Sequence, residues 1–269
     1  MLYNTKEGKI NTENASFDYI QFGTGKKTLI MIQGLNTNGI KGAGMSLAYM
    51  YRMFAKEYTV YAFSRKTILP QSYTTRDMAR DQKEAMEILK ISSADVMGVS
   101  MGGMIAQHLA ADYPEKVKRL VLVVTAARSN PILEEAVQEW IDCVEKDDHT
   151  ALMDSNLRRI YSNAYYRRNR WMIPIIGRLT KPETYDRFLV QAQACLEHDA
   201  WKQLTRIQAP TLVIGGEQDQ SLGGDASREI AGQIPGAQLC MYQEYGHGLY
   251  EEAKDFNARV LEFLIERDK

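Results

Sequence analysis

The feature that most constrains the fold is a regular alternation of short apolar runs with longer amphipathic segments. Short apolar runs are typical of buried strands, and apolar residues spaced three or four apart predict helices. Because strands that alternate with helices form parallel sheets covered on both faces, this alternation predicts an α/β fold. The predicted buried strands are residues 28–32, 58–63, 94–99, 120–124 and 211–214.

Further elements fill the gaps and the two ends of the chain. Weaker strand patterns add an antiparallel edge at the start and a last strand before a closing helix. The sequence therefore predicts a mostly parallel sheet of about eight strands with helices on both faces. The added strands are residues 9–11, 16–22 and 238–242, and the predicted helices are residues 46–55, 75–89, 101–113 and 250–265.

The alternation stops in residues 128–205, which show no strand pattern and carry many aromatic and Met residues at helical spacing. Strand and turn signals return at Ala209-Pro210-Thr211. We interpret the stretch as a helical cap inserted over the carboxyl ends of the strands, the edge at which open α/β sheets bind ligands. The core domain would then comprise residues 1–127 and 206–269, and the cap residues 128–205.

The overall charge argues against two classes of partner. The formal net charge is −1, so the chain lacks the basic surface that attracts nucleic acids and acidic membranes. No stretch reaches the roughly 18 apolar residues of a spanning helix, and the first residues show no basic and apolar leader pattern. We expect a cytoplasmic protein that acts on a small molecule, with no nucleic acid and no membrane partner.

The cysteines and histidines form no metal-binding pattern. Cys143, Cys195 and Cys240 are odd in number and lack C-x-x-C spacing, which predicts free thiols and neither a disulfide framework nor a zinc site. No two of the four histidines stand close enough in sequence to form a local ligand pair. We expect no metal and no other cofactor.

The strongest chemical signal is G-x-S-x-G at Gly98-Val99-Ser100-Met101-Gly102, between a predicted strand and a predicted helix. This is the spacing of a nucleophile elbow, in which a strained turn projects the serine hydroxyl above the sheet. The competing interpretation is a glycine-rich turn with an ordinary serine. The flanking strand and helix favour Ser100 as a nucleophile.

A serine nucleophile needs a base and a group that orients the base. Asp219 follows the strand 211–214 through a glycine turn, and His247 follows the last strand. The order Ser, Asp, His is the chain order of a nucleophile-elbow enzyme. Glu217 and Asp225 are rival acids, for which a solvated loop charge is the simpler interpretation.

These motifs resemble the capped α/β-hydrolase superfamily, near its enol-lactone hydrolase and carboxylesterase branches. The resemblance covers nearly the whole chain. It implies an oxyanion hole formed by the backbone N–H groups of Leu35 and Met101. The chain departs from the family pattern at Gln33, where the family has His, and at residues 64–67, which replace a D-x-R-G loop. The first departure concerns oxyanion geometry and the second substrate contacts.

The sequence thus predicts a serine hydrolase that cleaves a carboxylic ester, thioester or lactone through an acyl-enzyme. Fold does not fix function, so the alternatives are a ligand-binding receptor on a hydrolase fold, a carbon–carbon hydrolase or lyase, and an acyltransferase. A cluster of arginines between Ser155 and Thr180 is either a solvated helix face or an entrance for carboxylate substrates. The candidate substrate contacts are Gln33, Trp140, Tyr165 and Trp171.

Overall fold

The computed structural model describes residues 2–12 and 15–266. Its strands follow the apolar runs closely, with differences of a few residues at the ends. β1 is longer at its start than predicted, and the strand predicted at 120–124 begins three residues earlier. The strands are β1 (Lys6–Asn11), β2 (Ser16–Phe22), β3 (Lys27–Ile32), β4 (Tyr58–Phe63), β5 (Ala94–Val99), β6 (Val117–Val123), β7 (Thr211–Gly216) and β8 (Gln238–Tyr242).

The strands form one eight-stranded sheet in the order β1-β2-β4-β3-β5-β6-β7-β8. β2 runs antiparallel to β1 and β4, and every pairing from β4 to β8 is parallel. The predicted α/β class, with a mostly parallel sheet of eight strands, is therefore confirmed. Because β3 to β8 are parallel, their carboxyl ends lie at one edge of the sheet.

The helices occupy most of the segments for which helical spacing predicts them. Two differences occur: the first predicted helix ends at Met50 and continues as a 3-10 turn, and the closing helix is interrupted at Ala253, whose backbone is extended. This interruption lets Leu249 and Phe256 pack in the same core cluster. The helices are α1 (Gly44–Met50), α2 (Thr75–Ile88), α3 (Met101–Asp112), α4 (Pro131–Glu145), α5 (His149–Ile160), α6 (Asn163–Asn169), α7 (Ile173–Thr180), α8 (Asp186–Leu196), α9 (Asp225–Gln233), α10 (Leu249–Glu252) and α11 (Phe256–Ile265).

The sheet separates two apolar cores. Successive side chains of a strand point to opposite faces, and β3 shows this clearly: Leu29 and Met31 belong to one cluster, Ile30 and Ile32 to the other. The first cluster includes residues of α11 and the second includes residues of α2 and α3. Helices therefore cover both faces of the sheet, as the sequence predicts.

The five helices α4 to α8 lie between β6 and β7 in the chain. The two ends of this segment meet, because Ser129 N–H donates to the His198 carbonyl and Ala200 N–H to the Ala127 carbonyl. The segment thus leaves the sheet and returns to it at one place. Within it, the structure shows helices and one isolated bridge, between Arg128 and Asp199. The division into residues 1–127, 128–205 and 206–269 remains a prediction.

Among the described residues, no helix is both long and apolar enough to cross a membrane.

Candidate active site

Ser100 lies between the end of β5 and the start of α3 in a backbone conformation that L-residues rarely adopt. Its φ is 55° and its ψ is −125°. Such a conformation costs on the order of 1–3 kcal/mol and persists only where the surrounding structure enforces it. Ser100 N–H donates to the Val123 carbonyl at 2.9 Å, and the Ser100 carbonyl accepts from Gly103 N–H at 2.8 Å. The turn is therefore fixed to β6 on one side and to α3 on the other.

The two glycines of the motif allow close backbone contact. A Cβ on Gly98 would clash with the carbonyl of Gly102, and a Cβ on Gly102 would clash with the carbonyl of Ile32. Strand β5, helix α3 and the end of β3 therefore approach each other more closely than any larger residue permits. This approach brings Ser100 beside the turn that follows β3.

His247 and Asp219 form a buried pair at the same edge of the sheet. His247 Nδ1 lies 2.8 Å from Asp219 Oδ2, and both side chains are almost fully buried. Two backbone bonds connect the loops that carry them: Glu217 N–H donates to the Tyr242 carbonyl, and Gln218 N–H to the Tyr245 carbonyl. The loop after β7 and the loop after β8 thus run side by side, which brings the two residues together.

The second oxygen of Asp219 is also bound. Asp219 Oδ1 accepts hydrogen bonds from the N–H groups of Ser221 and Leu222, at 2.8 and 2.9 Å. These bonds fix the carboxylate and leave Oδ2 facing His247. The rival acids are elsewhere, because Glu217 and Asp225 both pair with Arg228 on the surface.

Ser100 and His247 line one cavity of about 340 Å³ at the carboxyl edge of the sheet. No hydrogen bond joins Ser100 Oγ to His247 among the described residues. Such contacts are often long in a ligand-free site and shorten when substrate binds. The cavity is lined by Gly34, Leu35, Asn36, Thr37, Val99, Ser100, Trp140, Leu152, Met153, Asn156, Leu157, Ile160, Tyr161, Phe188, His247 and Tyr250.

Two tyrosines on the cavity wall keep their protons. Tyr161 OH donates to Glu251 Oε2 at 2.8 Å, and Tyr250 lies beside the same carboxylate in sequence. Desolvation, together with the negative charge of Glu251, raises the pKa of both phenols. Both hydroxyls are therefore neutral hydrogen-bonding groups at neutral pH.

The residues of the expected oxyanion hole lie on either side of Ser100. Leu35 belongs to the turn after β3, and Met101 is the first residue of α3, where backbone N–H groups have no partner within the helix. The hydrogen bonds of the described residues give neither N–H an acceptor. A Cβ on Gly34 would lie 3.2 Å from Ser100 Cβ, which shows how closely this turn approaches the serine.

Arg65 is a residue near the site that sequence reasoning missed. It belongs to the segment 64–67, where the chain departs from the family loop associated with substrate contacts, but the Arg65 side chain is absent from the cavity wall and only 2% of the residue is exposed. Its Nη2 donates to the carbonyls of Gln33 and Gly34, at 2.7 and 2.6 Å. Arg65 therefore lies behind the turn that follows β3. No local pattern indicates this contact, because the parallel pairing of β3 with β4 creates it.

The expected substrate contacts separate into two groups. Trp140 lines the cavity, and its Nε1 has no hydrogen-bond partner among the described residues. Gln33 lines a second cavity of about 240 Å³, which shares Leu35 and Tyr250 with the first. Tyr165 does not reach the wall and stacks instead on Tyr161, with ring centroids 4.3 Å apart.

Trp171 is also outside the cavity, and 67% of it is exposed. Trp171 belongs to the 3-10 turn Arg170–Met172, in which no residue is buried, and this turn precedes α7, whose buried positions are Ile173 and Gly177. The structure therefore gives no support to the expectation that Trp171 contacts substrate.

The arginine cluster does not line the cavity either. Arg158 and Arg159 form ion pairs with Glu139, and Arg159 also pairs with Glu135. The other members of the cluster are exposed: Arg167, Arg168, Arg170 and Arg178. The arrangement supports a solvated helix face and gives no support to a carboxylate-binding entrance.

Comparison with known proteins identifies the same architecture. Residues 28–254 match the family model of the α/β hydrolase fold. The chain is similar to the putative carbamate hydrolase RutD of Caulobacter sp. (strain K31), with 27% identity over 249 residues, 89% of this chain and 91% of the relative. It is also similar to a 2-hydroxy-6-oxononadienedioate/2-hydroxy-6-oxononatrienedioate hydrolase of Pseudomonas putida, with 24% identity over 273 residues, 96% of this chain and 94% of the relative.

Two solved structures share the fold over nearly their whole length. An α/β hydrolase from a Medee basin deep-sea metagenome library has a TM-score of 0.87 at 23% identity, with coverage of 97% of this chain and 98% of that one. The enol-lactonase of Burkholderia xenovorans LB400 has a TM-score of 0.83 at 23% identity, with coverage of 96% and 100%. At this level of identity the likeness concerns the fold alone.

Proposed function

We propose that this chain is a serine hydrolase that cleaves a neutral carboxylic ester, thioester or lactone through Ser100. The proposal starts from the family: the chain belongs to the α/β-hydrolase fold family. The observation that carries the proposal is the convergence of three groups at one edge of the sheet. Ser100 stands at a strained turn, His247 shares its cavity, and Asp219 holds His247 from behind at 2.8 Å.

The proposed cycle uses His247 as base and then as acid. Ser100 Oγ attacks the carbonyl carbon while His247 Nε2 takes the hydroxyl proton, and the carbonyl oxygen becomes an oxyanion. His247 then gives that proton to the departing alcohol or thiol, which leaves an ester on Ser100. A water molecule repeats the sequence, so that the acid is released and Ser100 regains its proton.

The proposed role of Asp219 is to orient His247. Its Oδ2 accepts from His247 Nδ1, which selects the tautomer whose Nε2 is free to accept the serine proton, and its charge stabilises the imidazolium that forms. The bonds from Ser221 and Leu222 prevent the carboxylate from turning away. The N–H groups of Leu35 and Met101 are the proposed donors to the oxyanion.

The cavity wall supports a neutral substrate. Apart from His247, no ionisable cation or carboxylate is among the described residues that line it; the rest are apolar, amide, hydroxyl or aromatic groups. A charged acyl group would lose its hydration there without gaining a counter-ion, which is costly. This disfavours the doubly acidic substrates named for the dienedioate hydrolase of Pseudomonas putida and supports an uncharged ester or lactone.

Residues 128–205 are proposed to act as a cap over this site. Eight of the lining residues belong to α4, α5, α8 and the residue after α5, namely Trp140, Leu152, Met153, Asn156, Leu157, Ile160, Tyr161 and Phe188. The size of the cavity, about 340 Å³, is at the lower end of the range for small-molecule sites, so we expect short acyl groups.

The test is turnover of a panel of short neutral esters, thioesters and lactones by wild-type protein, by Ser100→Ala and by Ser46→Ala. Ser46 is an exposed serine on α1 and serves as the matched control. We expect turnover by wild-type and Ser46→Ala, and a loss of several orders of magnitude in Ser100→Ala. Binding of these compounds without turnover would favour a ligand-binding receptor, and transfer of the acyl group to an added alcohol in preference to water would favour an acyltransferase.

A further inference from the structure

We propose that Arg65 is a positioning residue for the oxyanion hole: its buried guanidinium fixes the peptide group between Gly34 and Leu35 so that the Leu35 N–H faces the reacting carbonyl oxygen. This inference rests on the proposed function. It adds a residue that lies outside the cavity wall and outside the Ser, His and Asp set.

The contact arises from strand pairing. β3 and β4 are parallel neighbours, with Met31 opposite Ala62, so the residues that follow the two strands leave the sheet side by side. Arg65 follows β4 and reaches the turn after β3. One nitrogen, Nη2, lies 2.7 Å from the Gln33 carbonyl oxygen and 2.6 Å from the Gly34 carbonyl oxygen.

The same nitrogen also reaches the other half of the expected oxyanion hole. Nη2 lies 3.6 Å from the sulfur of Met101, the residue whose backbone N–H is the second expected donor. A single buried group therefore contacts Met101 and also the carbonyl of the Gly34–Leu35 peptide, which carries the Leu35 N–H. Asn36 Nδ2 is a second donor to the Gly34 carbonyl, at the longer distance of 3.3 Å.

The contact between Arg65 and the Gly34 carbonyl also sets the direction of the Leu35 N–H. No cis peptide bond occurs among the described residues, and in a trans peptide the C=O and N–H groups point in opposite directions. Because the Gly34 carbonyl points at Arg65, the Leu35 N–H of the same peptide points away from Arg65. If this peptide flipped, its carbonyl oxygen would face the developing negative charge and repel it.

Arg65 is an unusual residue for a purely structural brace. Its side chain is buried, no carboxylate forms an ion pair with it among residues 2–12 and 15–266, and its Nε has no hydrogen-bond partner there. Burial, reinforced by the nearby Arg187, lowers the pKa of the guanidinium to about 10, which still leaves it charged at neutral pH. An unpaired buried cation is costly, and here two backbone carbonyls and the weakly accepting sulfur of Met101 offset that cost.

The test compares Arg65→Met with Arg187→Met. Arg187 is a control because it is a second, partly buried arginine, which donates to Ser64 Oγ and to the carbonyls of Arg65 and Lys66 but has no side-chain hydrogen bond to the turn after β3 among the described residues. We expect Arg65→Met to lower kcat about 10- to 100-fold with KM within about twofold, because the misplaced donor acts only on the transition state. Arg187→Met should keep kcat within about threefold at a similar loss of Tm.

A second measurement tests the binding of the oxyanion separately from turnover. A trifluoromethyl ketone accepts Ser100 Oγ at its carbonyl carbon, His247 takes the proton, and the resulting oxyanion occupies the hole; the corresponding trifluoromethyl carbinol cannot react. Arg65→Met should bind the ketone more weakly by the same factor as its loss of kcat/KM and bind the carbinol as wild-type does. Equal kcat and equal ketone affinity in Arg65→Met and Arg187→Met would overturn the proposal.

If Arg65→Met does not fold, Arg65→Lys is the variant that tests the positioning role of Arg65. The Lys side chain ends one bond short of the position of Arg65 Nη2, so its ammonium group cannot reach both carbonyls at the same distances. We therefore expect a several-fold loss of both kcat and ketone affinity, and wild-type values of both would overturn the proposal. The proposed function fails separately: it is rejected if wild-type protein forms no adduct with the ketone and Ser100→Ala still turns over esters.

Discussion

His247 and Asp219, 28 positions apart in the chain, share a buried hydrogen bond of 2.8 Å between Nδ1 and Oδ2. The pair forms because the loops after β7 and β8 run side by side, joined by backbone bonds from Glu217 and Gln218. The other ring nitrogen is then the one available to the cavity that Ser100 lines. This single relationship decides which acid and which base the proposed chemistry would use.

Asp219→Asn should lower kcat by about 10⁴-fold while the protein remains folded. The amide oxygen can replace Oδ1 as acceptor for the N–H groups of Ser221 and Leu222, so its NH₂ faces His247 and selects the wrong tautomer. Steady-state kinetics and thermal unfolding measure the two effects. Asp225→Asn is the control, since 92% of the Asp225 side chain is exposed. A larger loss in Asp225→Asn than in Asp219→Asn would show that Asp219 is not the orienting acid.

A neutral diester should be a better substrate than the half-ester of the same diacid, by at least about tenfold in kcat/KM. The reason is that no cation other than His247 lines the described cavity, so a buried carboxylate would lack a counter-ion. Asn156→Arg, which would add a cation to the cavity wall, should narrow this difference. Preference of the wild-type protein for the half-ester at low salt would instead support steering by the exposed arginines Arg167 and Arg168.

Acid should destabilise the protein through a pair of buried histidines away from the site. His108 and His198 pack edge to face with ring centroids 5.2 Å apart. Desolvation lowers the pKa of His108 from 6.5 to about 4 and that of His198 from 6.5 to about 3. Below pH 6.5 the unfolded chain therefore binds more protons than the folded one, and stability falls as the pH decreases from 6.5 towards 4.

His108→Phe isolates this effect, because it keeps the ring contact with His198 and removes one titrating group. The Nδ1 of His108 has no hydrogen-bond partner among the described residues, so the substitution leaves no bond broken at that atom. Urea denaturation at several pH values should show a slope against pH that is smaller by up to about 1.4 kcal/mol per pH unit between pH 6.5 and 4.5, with the largest difference near the middle of that range. An unchanged slope would mean that His108 is not the group that titrates.

Much of this molecule follows from local sequence signals. The alternation of apolar runs predicts the sheet because buried parallel strands and their covering helices each leave a periodic pattern. Ser100 is recognisable for a similar reason. Close backbone contacts with α3 and β3 leave no room for a Cβ at the glycines on either side of it, so the spacing of the motif follows from steric constraints. Its position at the carboxyl edge then follows from the strand before it.

Contacts that depend on strand order leave no local pattern in the sequence. Arg65 meets Gln33 and Gly34 only because β3 and β4 are neighbours, an adjacency that no spacing between residues 33 and 65 encodes. Aromatic content was a poor guide for a different reason. Trp140 and Trp171 both lie in the helical segment, but Trp140 lines the cavity and Trp171 faces solvent. The difference depends on the direction in which each side chain points, and aromatic content does not reveal that direction.

The most direct test of the account is covalent labelling by a fluorophosphonate, read by intact mass and peptide mapping. Wild-type protein should gain one adduct, on Ser100, and Ser100→Ala should gain none. His247→Gln should label far more slowly, because the hydroxyl then lacks its base. A folded wild-type protein that forms no adduct, or one whose adduct persists in Ser100→Ala, would contradict the central claim that Ser100 is the nucleophile.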